Sequence, residues 1–265
     1  MRERSVIMLP VFAVYLLLKH PKFVLKNWIA IGSPIAIAGG LIALENWLRF
    51  GSPPSFGFIA LQHTSFTTPI ALGVYGLLLS PGKGLLLYNP IAWLGLIGLF
   101  TLARRRSPEA VLYALAFIIE VIFFGAYEFW TGGWNWGPRY LLPILPFLIL
   151  AAGAWLQANP SRWRRSLLVA ACLIGFFINL PAVLVDHSRY LIAFSERDPD
   201  HYLNRSILQL QDSPIVQQWP TVFEVAALST KPDSWPAAHR AIDDHLQSYS
   251  GPQDVESLST HLLWV

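Results

Sequence analysis

The sequence predicts an all-α membrane protein: a polytopic bundle of about six transmembrane segments, with outer-face loops and a mostly helical or irregular C-terminal tail. Three observations carry that prediction. First, 54% of the 265 residues are hydrophobic and only 13% charged, where a soluble domain carries roughly a quarter charged residues. Second, the apolar residues gather in runs near the length that crosses a bilayer, about 20 residues. Third, the charge is divided. Residues 1–185 hold fourteen Lys and Arg, five Glu and no Asp, a balance of +9, whereas residues 186–265 carry −6. A basic membrane region followed by an acidic, water-facing tail fits that asymmetry.

Taken in order, Val6–Leu18 is apolar but short for a straight crossing. Trp28–Leu48, Leu85–Ala103, Glu109–Tyr127, Tyr140–Leu156 and Leu167–Val185 qualify or come close. Internal Gly and Pro (Gly32, Pro34, Gly39, Gly40, Gly95, Gly98, Pro143, Pro146) are compatible with membrane helices, because packed neighbours accept close glycines and re-satisfy the backbone freed by proline. The loops Lys19/Lys22/Lys26, Arg104/Arg105/Arg106 and Arg162/Arg164/Arg165 are basic and alternate with loops 49–84 and 128–139. One topology puts all three basic loops in the cytoplasm, with the other two loops and the 186–265 tail outside a cell membrane. Arg2 and Arg4 fit it poorly. Met1–Arg4 and the apolar stretch after it lack a small-residue cleavage site, so no cleavable signal peptide is expected. Cys172, the single cysteine, excludes an internal disulfide. In the tail, Leu203, Ile207 and Leu210 share a helical face, as do Ile242, Leu246 and Tyr249, and Ser213-Pro214 reads as an N-cap followed by proline at the first helical position.

The chemistry concentrates at Trp130–Pro146, W-T-G-G-W-N-W-G-P-R-Y-L-L-P-I-L-P. Arg139 stands at the mouth of an apolar segment in a collar of Trp and Gly. Its guanidinium suits a phosphate through forked, charge-assisted hydrogen bonds. The plainer alternative is an interfacial anchor on ordinary head groups. Trp134 and Trp136, taken singly, are aromatic-belt residues, and only their clustering with Gly137 and Tyr140 makes them candidates for a substrate cavity. Lys83, in S-P-G-K-G, adds a point charge to glycine amides able to face an anion. It is equally a turn lysine, and no nucleotide P-loop follows, since the G-K-[ST] ending is absent. Arg49, in R-F-G-S-P, is a third cation at the same boundary. Glu128 could assist an acceptor or simply sit solvated at a helix end. Glu120, in mid-segment, reads as structural. His239, Asp243 and His245 read as a solvated face rather than a metal site. No dinucleotide fingerprint, metal motif or nucleic-acid motif stands out, so no cofactor and no nucleic-acid partner is expected.

The series R-F-G-S-P (49–53), T-T-P-I-A-L-G-V-Y-G-L-L-L-S-P-G-K-G-L (67–85) and G-G-W-N-W-G-P-R-Y-L-L-P (132–143) resembles the C-terminal half of bacterial membrane glycosyltransferases of the C-type superfamily. Those proteins take a sugar from a polyprenyl-phosphate carrier, and the dolichyl-phosphate-mannose protein mannosyltransferases are their best-known relatives. The resemblance covers about residues 1–185, plus D-S-P-I at 212–215. It implies inverting displacement at the anomeric carbon, with the lipid phosphate leaving. It implies that Arg139, helped by Lys83, binds that phosphate, and that Trp134, Trp136, Gly137, Tyr140 and Glu128 line the donor or acceptor site. The family's acidic residue in its first outer loop has no counterpart here. The resemblance therefore implies an N-terminally truncated portion, partnered by a missing N-terminal half and inactive alone, with no catalytic residue of its own. The rival function is a non-catalytic polytopic protein, transporter-like or a scaffold for lipid head groups. Related halves with broken helices would mark a transporter, and no such repeat is visible.

Overall fold

The computed structural model describes residues 7–51, 66–133, 135–198 and 201–229. The chain divides into two compact units, Met1–Gln217 and Gln218–Val265. In the first unit the helices are α1 (Leu9–Lys19), α2 (Pro21–Lys26), α3 (Trp28–Phe50), α4 (Ile70–Leu79), α5 (Leu85–Tyr88), α6 (Ile91–Arg104), α7 (Pro108–Ala126), a 3-10 turn Arg139–Ile144 leading into α8 (Leu145–Ala158), α9 (Arg162–Leu184), α10 (Ser188–Arg197) and α11 (Tyr202–Leu208). Helix α12 (Pro214–Ser229) follows, and in the second unit its Trp219 and Phe223 rings stack at 5.9 Å. No strand occurs among the described residues. The protein is an all-α membrane protein. Four of its described helical stretches are long and apolar enough to cross a bilayer: Trp28–Phe50, Pro108–Ala126, Arg139–Ala158 and Arg162–Leu184.

The structure departs from the sequence expectation at three places. Leu85–Ala103 is not one span. It breaks at Asn89-Pro90, where Asn89 leaves helical geometry and its carbonyl accepts from Ala92 N at 2.8 Å to start α6. Proline has no N–H to continue the ladder from α5. The remaining 14 residues of α6 reach about 21 Å, short of a bilayer core of about 30 Å. Loop 49–84 contains a helix, α4, ten residues long and apolar throughout. Tyr140–Leu156 begins as a 3-10 turn because Pro143 and Pro146 interrupt its first α-type bonds.

Small residues set how closely the spans pack. Gly95 and Gly98 of α6 lie against Leu148 and Ala151 of α8, and a Cβ on Gly95 would stand 2.6 Å from the Leu148 carbonyl oxygen. Backbones this close gain dispersion contact along their whole length, which drives helix association in lipid. Residue numbers rise together in these pairs, so α6 and α8 run parallel. Helix α9 then returns, since Asn179 donates to the Tyr88 carbonyl at 2.9 Å, just before α6 begins. The ends of the bundle follow. Arg104–Arg106 and Arg162–Arg165 share one end. The Lys19–Glu109 ion pair, at 2.6 Å, ties the first basic loop to the same end. The opposite end gathers Ser80–Gly84, the described residues 127–133 and 135–139, and residues 186–198 and 201–208. The core between them is apolar, with Leu77, Leu85, Leu141, Ile144 and Leu148 all but fully buried. The outer faces of the spans are apolar too, as lipid requires: Val169, Phe176 and Phe177 of α9 are all more than half exposed.

The polar tail splits. Residues 186–217 belong to the first unit, and α11 docks on the Ser80–Gly84 turn. Gly82 N donates to the Ile207 carbonyl at 3.0 Å, and a Cβ on Gly82 would stand 2.5 Å from the Ser206 carbonyl. Ile207 is buried but Leu210 is 60% exposed. The shared helical face expected of them is broken because Gln209 is extended, which turns Leu210 out of register. Arg205 fastens this segment, donating to Asp198 at 2.8 Å and to Asp212 at 2.8 Å. Helix α12 does start at Pro214, directly after Ser213. The segment 52–65, the expected face Ile242/Leu246/Tyr249 and the trio His239, Asp243 and His245 lie outside the described residues.

Candidate functional site

The site is built on a turn held open by glycine. After α7, residues 127–138 lead back into the bundle with Gly132, Gly133 and Gly137 at φ of 71°, 72° and 60°. These are left-handed values that a Cβ resists. Gly137 has a second requirement. A Cβ there would stand 2.9 Å from the Tyr88 ring. Trp136 crosses the same ring edge-on at 5.5 Å and donates its Nε1 proton to Asn179 Oδ1 at 3.0 Å. Asn179 spends its amide protons on the Tyr88 and Gly175 carbonyls, at 2.9 and 2.7 Å. Tyr88 closes the circuit by donating its hydroxyl proton to the Gly82 carbonyl at 2.9 Å. The turn is therefore fixed against α5, α9 and the S-P-G-K-G segment at once.

Lys83 is the link between the two glycine-bearing segments. Its side chain is buried, 5% exposed. Nζ donates to the Gly133 carbonyl at 2.9 Å and also to the Asn135 carbonyl. Asn135 in turn donates its side-chain amide to the Gly132 carbonyl. Ser80 organises the approach: its hydroxyl donates to the Gly76 carbonyl at 2.7 Å and accepts from Lys83 N at 3.1 Å. Burial first, and the positive field of Arg139 second, push the Lys83 ammonium down to about 7. Arg139 itself is half-buried at the first residue of the 3-10 turn.

The sequence candidates sort as follows. Lys83 and Arg139 converge on one turn, so their fields act on each other. Trp136 and Gly137 belong to that turn, packed on Tyr88. Tyr140 is a buried packing residue, stacked on Phe124 at 4.7 Å with the rings 3° apart. Glu128 stands exposed on the turn after α7. Glu120 is buried in α7. Arg49 pairs with Glu45 one turn back on α3, at 3.2 Å. Trp134 lies outside the described residues. Two residues escaped sequence reasoning. Tyr88 was absorbed into an apolar run, and Asn179 was the lone amide in G-F-F-I-N-L-P, a polar group in a span that signals a partner. No metal-type grouping of His, Cys, Asp and Glu occurs among the described residues.

Such a site brings two basic side chains beside backbone carbonyls and the Trp136 indole, at the end of an apolar bundle. Comparison with family models, curated proteins and solved structures finds no match for this chain.

Proposed function

We propose that this protein is a membrane glycosyltransferase-type protein that binds a sugar linked to a polyprenyl phosphate, with Arg139 holding the phosphate. The observation that carries the reading is the meeting of Lys83 and Arg139 on the glycine-bearing 131–139 turn, at the end where the apolar spans stop. A lipid-linked phosphate needs its chain among apolar helices and its charge at their ends, and a forked guanidinium there would stabilise charge on the departing phosphate. Trp136 supplies an aromatic wall of the kind that packs on a sugar face. The basic loops at the opposite end support a cytoplasmic position for that end by the positive-inside rule, which would put the site toward the outer face of a cell membrane.

One observation favours the rival reading, a non-catalytic scaffold for lipid head groups. Lys83 gives two protons to carbonyls, a turn-holding role that needs no reaction. Competition separates the two. A diazirine-bearing short-chain isoprenyl phosphosugar should crosslink to residues 131–146 in nanodiscs. Unlabelled polyprenyl phosphate should displace it, and phosphatidylglycerol should not. Arg139→Gln should weaken binding roughly 30-fold, as expected for a charge-assisted hydrogen bond of about 2 kcal/mol. Equal competition by phosphatidylglycerol would establish the scaffold, and labelling unaffected by Arg139→Gln would remove the arginine from the site.

A further inference from the structure

Lys83 is an unusual cation. It is buried, and its partners among the described residues are two backbone carbonyls rather than a carboxylate. A second cation, Arg139, acts on it from the start of the 3-10 turn. Two positive charges in a desolvated place oppose each other's presence. An anion placed against them reverses this, because it attracts both. The carbonyls of Gly133 and Asn135 accept from a neutral amine as well as from an ammonium, though more strongly from the ammonium, so the hydrogen bonds that hold the turn are weakened but not lost on a change of charge.

We propose that Lys83 takes up a proton from solvent when a phosphodiester binds at Arg139, so that the anion site becomes doubly cationic only once its ligand has arrived. The inference rests on the reading of Arg139 as a phosphate site and adds its regulation. The proton goes to Lys83 Nζ, whose third donor position is not used by Gly133 or Asn135. Among the described residues, Arg139 is the charged group that acts on Lys83; Tyr190 acts on Tyr88 instead. Tyr88, from α5, points its hydroxyl at the Gly82 carbonyl. The docked α11 meets the turn through Ser206 and Ile207, neither of them ionisable. Tyr140, next to Arg139, is stacked on Phe124, and the His187 ring lies 6.1 Å from the Trp136 indole. Without ligand, burial and Arg139 bring Lys83 to about 7. It is then mostly neutral at pH 8 and mostly charged at pH 6.

Such coupling has a definite sign. Affinity for the anion should fall as pH rises, and proton uptake should be largest on the alkaline side of neutrality. With the free lysine near 7 and the bound one above about 9, uptake is roughly 0.8 proton per ligand at pH 8 and roughly 0.1 at pH 6. The dissociation constant should weaken at least about tenfold from pH 7 to pH 9. A scaffold that merely needs Lys83 for its shape would show neither effect.

The test is isothermal titration calorimetry on the full chain in detergent, in paired buffers of different ionisation enthalpy. The probe is a short-chain isoprenyl phosphodiester of a hexose. A diester has no group titrating between pH 5 and 9, so any proton taken up belongs to the protein. The wild-type chain decides the matter without any variant. Binding with uptake near 0.8 proton at pH 8, vanishing toward pH 6, is the expected result. Binding with no uptake at pH 8 overturns the proposal while sparing the phosphate site. Failure of the probe to bind at pH 6, where both cations are charged, overturns the phosphate site and this inference with it. Lys83→Arg, whose charge is permanent, should bind the probe with no uptake. Uptake that persists in Lys83→Arg or in Lys83→Met assigns the proton to another group and sinks the proposal.

Discussion

Alanine at Gly137 should destabilise the protein by about 2–5 kcal/mol, and alanine at Gly133 by only about 1–2 kcal/mol. Both glycines have left-handed backbones, at φ of 60° and 72°, so each substitution carries the conformational cost of an L-residue there, about 1–2 kcal/mol. Their surroundings differ. Nothing lies within 4 Å of a Cβ on Gly133, whereas a Cβ on Gly137 would stand 2.9 Å from Tyr88 Cδ1. Tyr88 cannot step aside freely. It is 1% exposed, its hydroxyl is spent on Gly82, and Trp136 crosses its ring. Forcing an extra methyl into such a place costs about 1–3 kcal/mol. The difference between the two variants isolates that steric part, since the conformational part is common to both. Reversible unfolding in mixed micelles, followed by tryptophan fluorescence, measures it. Equal losses in the two variants would refute the claim that Tyr88 pins the turn, and with it the account of how Arg139 is held.

Two further perturbations probe the frame around the site. Gly98→Ala puts a methyl on the Ala151 carbonyl and should force α6 and α8 apart at about 1–3 kcal/mol, whereas Gly153→Ala, with open space around it, should be neutral or stabilising; the same unfolding assay separates them, and an unharmed Gly98→Ala would contradict the close approach. Arg205→Ala should release residues 198–212, seen as faster hydrogen exchange there than in wild type. Asp198 is held below its ordinary value chiefly by the Arg205 hydrogen bond. Its contribution is therefore present above the unfolded carboxylate value, about 3.9, and lost as pH falls through the lower folded value. The exchange difference between wild type and variant should accordingly close only in that acid range, and a difference that closes near neutrality would exclude the carboxylates as its source.

The spans were legible because their signal is local. Trp28–Phe50 and Arg162–Leu184 are runs whose length and composition alone fix what they do in lipid. Where a single residue overrides a run, composition misleads. Pro90 sits in an apolar stretch and still ends α5, because the missing N–H matters more than the surrounding hydropathy. Helix α4 was hidden for the converse reason. Ten apolar residues are too few to announce a span, and their helical state depends on Gly73 and Gly76 meeting Gly125 and Trp130, distant in sequence. At the site, Gly-Lys-Gly and Trp-Asn-Trp-Gly were legible as two turns near one boundary. That Lys83 bridges them was not, since its acceptors are carbonyls of Gly133 and Asn135, and main-chain oxygens leave no mark in a sequence. The tail posed the same problem: Ile207 was visible as one member of an apolar face, but its meeting with Gly82 is a backbone event.

On the proposed reading, the same carbonyls are what would let the segment serve an anion. A lysine bonded to a carboxylate would already be neutralised and would gain little from a phosphate. A lysine bonded only to carbonyl dipoles keeps its net charge when protonated, and burial makes that charge costly until a counter-charge comes. Arg139, with its forked guanidinium, would supply the standing attraction that brings an anion in. Lys83 then supplies a second attraction that is absent beforehand. The glycines matter to this division because they let the Gly133 and Asn135 carbonyls turn inward at φ values a side chain resists. Replacing the carbonyl pair by a carboxylate would stabilise the ammonium and the fold more, yet would cancel the field that the ligand is meant to meet. The weaker internal partner is thus the one that leaves the site its affinity.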